Sequence, residues 1–266
     1  MTPFDQLIEL SGRRALVTGG AGHIGRVACE TLVELGANVA VLDRDPQLCE
    51  KRVADLSAIR RDCAVSIPCD LTDEDATRRS VRATLAALGG LDIVVHCAGY
   101  VGTTSVPGWA VPFEQQTVQA WDAAMRVNLT AAFIIAQEGK IALDSSLGSI
   151  ILLGSIYGVV APDFRIYEGT AMAMPAGYAA SKGGVVQLTR YLAAALAPRI
   201  RVNALSPGGV ERGQPDIFRE RYASRTPLQR MATEADLKGA IAYLASDLSA
   251  FVTGQNLLVD GGWTVW

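Results

Sequence analysis

Tyr178 and Lys182 stand four residues apart in the run YAASK, a spacing that puts both side chains on one face of a helix. A tyrosine at its ordinary pKa of ~10 is a poor base near neutrality. A neighbouring ammonium favours the phenolate and brings the hydroxyl into range for moving a proton to or from a substrate oxygen. Taken alone, such a pair is a common feature of helix surfaces. Here it keeps company with Ser155, just beyond the apolar run SIILL (Ser149–Leu153), and with a glycine-rich turn near the N-terminus.

That turn, GGAGHIG, follows the apolar run ALVT and leads into IGRVACETLVELG. Gly19, Gly22 and Gly25 are spaced G-x-x-G-x-x-G. Backbone without Cβ atoms can approach a diphosphate closely, and the helix start behind it presents free N–H groups and a partial positive charge. The next apolar run, NVAVLD, ends on Asp43, 18 residues beyond Gly25, where a carboxylate can accept hydrogen bonds from an adenosine ribose. A carboxylate there repels a 2′-phosphate and so favours NAD over NADP. Arg44 either grips such a phosphate or is a solvated loop residue, and the second reading is preferred. Asp70 either reaches the adenine edge or caps the following helix.

The elements that must position these groups alternate along the chain. Apolar residues at Ile24, Val27, Ala28, Leu32 and Leu35 describe a helix face, and Gly36 is a natural stop. Further helices are expected over 46–59, after the acids of TDEDA with Thr72 as N-cap, over 118–143, over 178–197 and over 234–245. Strands are expected in ALVT, NVAVLD, AVSIPCD, DIVVHCAG, SIILL, RVNAL and NLLVD. Seven strands alternating with helices predict an α/β fold: a doubly wound, Rossmann-type, seven-stranded parallel sheet, with residues 1–266 as one domain. Three stretches break the alternation. They are 100–116, rich in Gly, Pro and Trp; 159–176; and 208–227, which carries Arg212, Arg219, Arg221 and Arg225. Irregular stretches of such length inside a domain are often functional.

Composition narrows the partners. The chain has 266 residues, 19% of them charged, with a formal net charge of −3, which argues against a nucleic-acid binder carrying a basic stripe. The five cysteines form no C-x-x-C pair and only His23 and His96 accompany them, so no metal site is expected. Scattered thiols suit a reducing, cytoplasmic setting. The start, MTPFDQLIEL, carries acids rather than a basic leader, and no apolar run is long enough to span a membrane.

The runs VTGGAGHIG, HCAG, RVNLTAAF, ILLGSIYG, YAASK, IRVNALSPG and TGQNLLVDGG, in this order, resemble the short-chain dehydrogenase/reductase family in its single-domain branch. The resemblance covers nearly the whole chain. It implies that Tyr178 is the acid/base, that Lys182 lowers its pKa and binds the nicotinamide ribose, and that Ser155 holds the substrate oxygen. Asn128 would hold a water linking Lys182 to solvent. The nucleotide would lie along Gly19, Gly22, His23, Ile24 and Gly25, beside Asp43 and Arg44, past Asp70 and Leu71, over Ala98 and Gly99, and against Pro207, Gly208 and Val210. Tyr157, Tyr167, Gly209 and Arg212 join Ser155 as candidate substrate contacts. The expected activity is transfer of a hydride between NAD(H) and a secondary alcohol or ketone on a hydroxylated or sugar-like small molecule. Family members commonly assemble as tetramers by pairing two long helices, here 118–143 and 178–197, so a homotetramer or homodimer is expected.

Departures from the family pattern are informative. His23 occupies a position often held by glycine, and HCAG replaces the usual NNAG, with Cys97 read as core packing. Arg212 stands where a threonine often meets the nicotinamide end. The separation of Ser155 from Tyr178 is longer than usual, so 159–176 carries an insertion. DFRIYEG and the segment after Pro207 are similar to members from bacterial surface-sugar and flagellin-modification pathways. Phe164, Arg165, Tyr167 and Glu168 could then wall the substrate pocket, and the four arginines could attract an anion, although Arg219–Arg225 also reads as a solvated helix face. Trp109, Phe113, Trp263 and Trp266 read as packing or subunit contacts. Two other functions share the scaffold: a 3-oxoacyl thioester reductase, which would use NADPH and a basic docking face, and a nucleotide-sensing protein without catalysis. Asp43 and the acidic balance count against the first, and the intact Tyr178–Lys182 pair against the second.

Overall fold

Aliphatic runs without a strict two-residue period can be buried on both faces, and they form the sheet. A computed structural model describes residues 2–101 and 104–266; Gly102 and Thr103, within the irregular stretch 100–116, lie outside the described residues. The strands are β1 (Arg14–Thr18), β2 (Asn38–Asp43), β3 (Ala64–Pro68), β4 (Ile93–His96), β5 (Ser149–Leu153), β6 (Arg201–Pro207) and β7 (Asn256–Val259). They pair in parallel in the order β3-β2-β1-β4-β5-β6-β7. The order reverses between β1 and β4, and a crevice opens at the strands' carboxyl ends at such a switch point.

A short α1 (Phe4–Ile8), not anticipated from the sequence, precedes β1. The crossover helices are α2 (His23–Glu34), α3 (Pro46–Ser57), α4 (Glu74–Leu88), α5 (Val118–Met125), α6 (Ala131–Ser146) and α7 (Ala176–Leu196); α8 (Asp216–Arg225) and α9 (Lys238–Ala245) follow β6. Successive strand residues point to opposite faces. Val17, Val39, Val41, Val95 and Ile151 therefore pack with α2, α3 and α9 in one core. Leu16, Ala40, Leu42, Val94, Ile150 and Leu152 pack with α4, α6 and α7 in a second. A third, aromatic cluster lies outside the sheet and joins Tyr157, Tyr167, Phe218, Tyr222 and Trp263.

The structure departs from the expected elements where side chains compete for the backbone. The helix expected over 118–143 is interrupted by a π turn at Arg126–Thr130 between α5 and α6. There the Asn128 side chain is tied to groups off the helix, accepting from Tyr100 N at 2.7 Å and donating to Ser181 Oγ at 2.9 Å. Thr72 is not the cap of α4. Asp73 takes that place and accepts from Ala76 N, while Asp70 holds Thr72 through its N and Oγ1, each at 2.9 Å. Asp70 thus closes the turn ahead of the helix rather than capping it. The stretch 234–245 divides into a 3-10 turn, Glu234–Leu237, and α9.

His96 links three of these elements. Its Nδ1 lies 2.8 Å from Thr18 Oγ1 on β1, and its Nε2 lies 3.1 Å from the Val127 carbonyl in the π turn. A carbonyl only accepts, so Nε2 carries the proton, and the Thr18 hydroxyl donates to Nδ1. Thr18 Oγ1 also accepts from Ala98 N at 3.2 Å. Burial and the positive charge of Lys182 lower the His96 pKa from its ordinary 6.5 to about 4. The ring is neutral when folded and must take up a proton on unfolding in acid. Its contribution is therefore complete above pH ~6.5 and is lost as pH falls through about 4, amounting to about 3 kcal/mol. Urea unfolding of the wild type and of His96→Asn between pH 4 and 8 should give stability curves that converge toward acid, the variant lacking this part of the acid loss. Parallel curves would contradict it.

Candidate active site

The glycine turn between β1 and α2 leaves no room for side chains. Gly19 adopts φ +64°, and a Cβ there would lie 2.8 Å from the Ala98 backbone. A Cβ on Gly25 would lie 2.0 Å from the Gly19 carbonyl oxygen. Gly22 is the N-cap of α2 and has no side chain to satisfy the first-turn N–H groups. These groups border a crevice of about 300 Å³ running along the carboxyl ends of β1, β2 and β4. Tight backbone, free amides and a helix start suit a diphosphate.

Most expected nucleotide residues line this crevice: Gly19, Gly22, His23, Ile24, Gly25, Asp43, Arg44, Asp70, Leu71, Ala98 and Gly99. The Asp43 carboxylate accepts from Arg44 N at 2.8 Å and Ala21 N at 3.3 Å, which fixes it at the edge of the site. Arg44 is exposed. Pro207, Gly208 and Val210 do not line the crevice. Gly208 N donates to the Val259 carbonyl, and Val210 is buried against the α2-side core. Cys97 packs partly on that core and also borders the crevice, as do Tyr100, Val127 and Leu153. The last three were not singled out from sequence. Their one signal is position, since Tyr100 and Leu153 follow or close the central strands β4 and β5 at the switch-point end.

Tyr178, Ser155, Lys182 and Asn128 do not line the crevice; Lys182 and Asn128 lie just behind its Leu153 and Gly99 end, with Tyr178 and Ser155 beside them. Lys182 is buried, and its Nζ donates to the Leu153 carbonyl at 2.5 Å. The same nitrogen lies 5.8 Å from the centre of the Tyr178 ring. A Cβ on Gly99 would meet Asn128 Oδ1 at 3.2 Å and Lys182 Nζ at 3.8 Å, so the absent side chain leaves room for both. Burial lowers the Lys182 ammonium to about 8. Burial also raises the Tyr178 phenol above its ordinary value, opposed by the hydrogen bond with Ser155 and by the positive charge of Arg212. The Ser155 hydroxyl also accepts from Tyr157 N at 3.2 Å, which holds it at the end of β5.

The expected substrate wall is only partly present. Of Phe164, Arg165, Tyr167 and Glu168, only Tyr167 turns inward, its hydroxyl 3.0 Å from that of Tyr157. Phe164 and Glu168 face solvent, and Arg165 pairs with Asp163 at 2.8 Å. The arginines of α8 do not form an anion site, because each is already engaged. Arg219 pairs with Glu211 and Asp216; Arg221 donates to the Arg165 and Glu168 carbonyls; Arg225 pairs with Asp163 at 2.7 Å and lies over Trp263. Gly209 N donates to the Tyr222 hydroxyl, tying the end of β6 to α8. Trp109 and Trp263 are buried, whereas Phe113 and Trp266 are largely exposed. Among the described residues no helix is long and apolar enough to cross a membrane.

A family model described as enoyl-(acyl carrier protein) reductase matches residues 19–264. Galactitol 2-dehydrogenase (L-tagatose-forming) of Cereibacter sphaeroides is 32% identical over 98% of this chain and 98% of its own length. D-threitol dehydrogenase of Mycolicibacterium smegmatis is 31% identical over 97% of this chain and 95% of its own. A short-chain type dehydrogenase/reductase from Mycobacterium marinum superposes with a TM-score of 0.85 at 31% identity, covering 99% of both chains. With its switch-point crevice, its Tyr178–Lys182 helix and matches along almost its entire length, the chain belongs to the short-chain dehydrogenase/reductase family, oxidoreductases acting on CH–OH groups.

Proposed function

We propose that this enzyme interconverts a secondary alcohol and a ketone on a polyhydroxylated or cyclic small molecule, with NAD(H) as cofactor. The Tyr178–Lys182 pair, with Nζ 5.8 Å from the ring centre, and the glycine-lined crevice next to it carry the reading. Gly19, Gly22 and Gly25 would hold the diphosphate, Asp43 the adenosine ribose, and Ala98, Gly99 and Lys182 the nicotinamide half. When bound there, the nicotinamide supplies the hydride acceptor or donor. Ser155 orients the substrate oxygen. Tyr178 takes the hydroxyl proton in oxidation and returns it in reduction. Lys182 and Asn128 hold the buried route by which that proton exchanges with solvent. The relatives named for galactitol and threitol support a polyol. The acyl carrier protein in the family model's description favours a thioester, but Asp43 and the net charge of −3 weigh against NADPH and an acidic carrier.

Assembly is proposed through the helices flanking β4 and β5. Val118, Trp121, Phe133, Ile141 and Tyr191 on α5, α6 and α7 are exposed, and a second copy would cover them.

Tyr178→Phe should lower turnover about a hundredfold or more while leaving the dissociation constant for NAD within about twofold. Steady-state assay on a polyol panel with calorimetric titration of NAD tests both, and unchanged turnover would remove Tyr178 from the chemistry. Asp43→Ala should raise kcat/KM for NADP relative to NAD by about tenfold, as expected for removing a charge that repels the 2′-phosphate. An unaltered ratio would place cofactor choice elsewhere. Light scattering should give a mass above one chain at micromolar concentration, and Phe133→Glu should reduce it; a monomeric wild type would contradict the assembly.

A further inference from the structure

Arg212 differs from the other arginines of its segment. Arg219, Arg221 and Arg225 are consumed by acids and carbonyls, but Arg212 lines the nucleotide crevice itself. Its Nε lies 3.3 Å from Glu234 Oε1, and among the described residues its two terminal nitrogens make no hydrogen bond. The same Glu234 oxygen lies 3.6 Å from Nδ1 of His23, the first residue of α2. One carboxylate therefore holds the guanidinium and lies close to the helix start, and both His23 and Arg212 line the crevice. The backbone beneath is fixed: Glu211 N donates to the Ala232 carbonyl at 2.8 Å, and Ala232 N to the Gly209 carbonyl at 2.9 Å.

We propose that Arg212, held by Glu234 beside His23, is a cationic clasp over the diphosphate of the bound dinucleotide, gripping the phosphate farther from adenosine. The inference rests on the nucleotide reading above and extends it to a residue pair that the glycine turn does not require. Placement favours the diphosphate over a substrate carboxylate. The guanidinium shares the crevice lining with Gly22, His23 and Ile24, whose amides would cradle phosphate, and a planar fork suits a phosphate's paired oxygens. Asp43 marks the adenosine end of the crevice, and Arg212 lies away from it, near the catalytic tyrosine, whose phenol feels its charge. Glu234 serves as a positioning residue: it holds the guanidinium at the rim and yields it when a stronger anion arrives.

Calorimetric titration of NAD, ADP-ribose and AMP into the wild type, Arg212→Gln and Glu234→Gln tests this. Arg212→Gln should weaken NAD and ADP-ribose about tenfold and leave AMP, which has only the adenosine-side phosphate, within twofold. Raising the salt should weaken NAD binding less in this variant than in the wild type. Glu234→Gln, with Arg212 unrestrained, should alter NAD and ADP-ribose affinity but not AMP affinity. Equal affinities in Arg212→Gln and wild type would overturn the clasp. So would equal weakening of all three ligands, which would place Arg212 at the adenosine end or in fold maintenance. Weakening confined to NAD would also overturn it, because the contact would then be with the nicotinamide amide. If the wild type itself bound neither NAD nor ADP-ribose, the nucleotide reading would fail along with the clasp.

Discussion

The buried ammonium of Lys182 is the constraint around which the active-site end is built. A charge removed from water is costly unless polar groups surround it. Here the Leu153 carbonyl accepts from Nζ, and the space beside it is left open by the missing side chain of Gly99 and bounded by Asn128. Each neighbour comes from a different element: the end of β5, the segment after β4, and the π turn between α5 and α6. The charge thus fixes the relative positions of three connections that share no local sequence. It also acts on His96, whose imidazole is held neutral partly by the same ammonium. A neutral ring can accept from Thr18 while donating to Val127, so the electrostatics of the site and the cohesion of the sheet are coupled.

The π turn follows from the same requirement. A regular α-helix through 126–130 would aim Asn128 differently. The wider turn lets its amide serve the Tyr100 backbone and Ser181 together. Widened turns of this kind occur frequently at functional sites. The cost of weakened local helix bonding is offset by contacts made only in the tertiary structure.

Much of the sheet was legible because its strands are unbroken aliphatic runs bounded by helical periodicity and glycine stops. The crevice was legible because glycines at fixed spacing leave few other uses for the backbone. Less accessible was whatever depends on pairing between distant side chains. Nothing in the spacing of Arg219, Arg221 and Arg225 distinguishes an anion site from a set of internal ion pairs. Arg219 finds Glu211 and Asp216 nearby, but the partners of Arg221 and Arg225, the 165 and 168 carbonyls and Asp163, lie more than fifty residues upstream. The inward turn of Tyr167, with Phe164 and Glu168 outward, likewise depends on the aromatic cluster formed with Phe218 and Tyr222. Thr72 was expected to cap α4 because a threonine before acids is a good cap. Asp70 captured it in the preceding turn, leaving Asp73 the role.

The aromatic cluster carries the chain's end into this arrangement. Trp263 stacks on Tyr222 at 4.2 Å between ring centres and lies beneath Arg225, and the Trp266 indole donates to the Arg225 carbonyl. Arg225 in turn grips Asp163 of the insertion. Trp263 and Trp266 therefore brace α8 against an insertion far from them in sequence. Removing the Trp263 ring would loosen α8 and, through Arg225 and Asp163, the insertion as well.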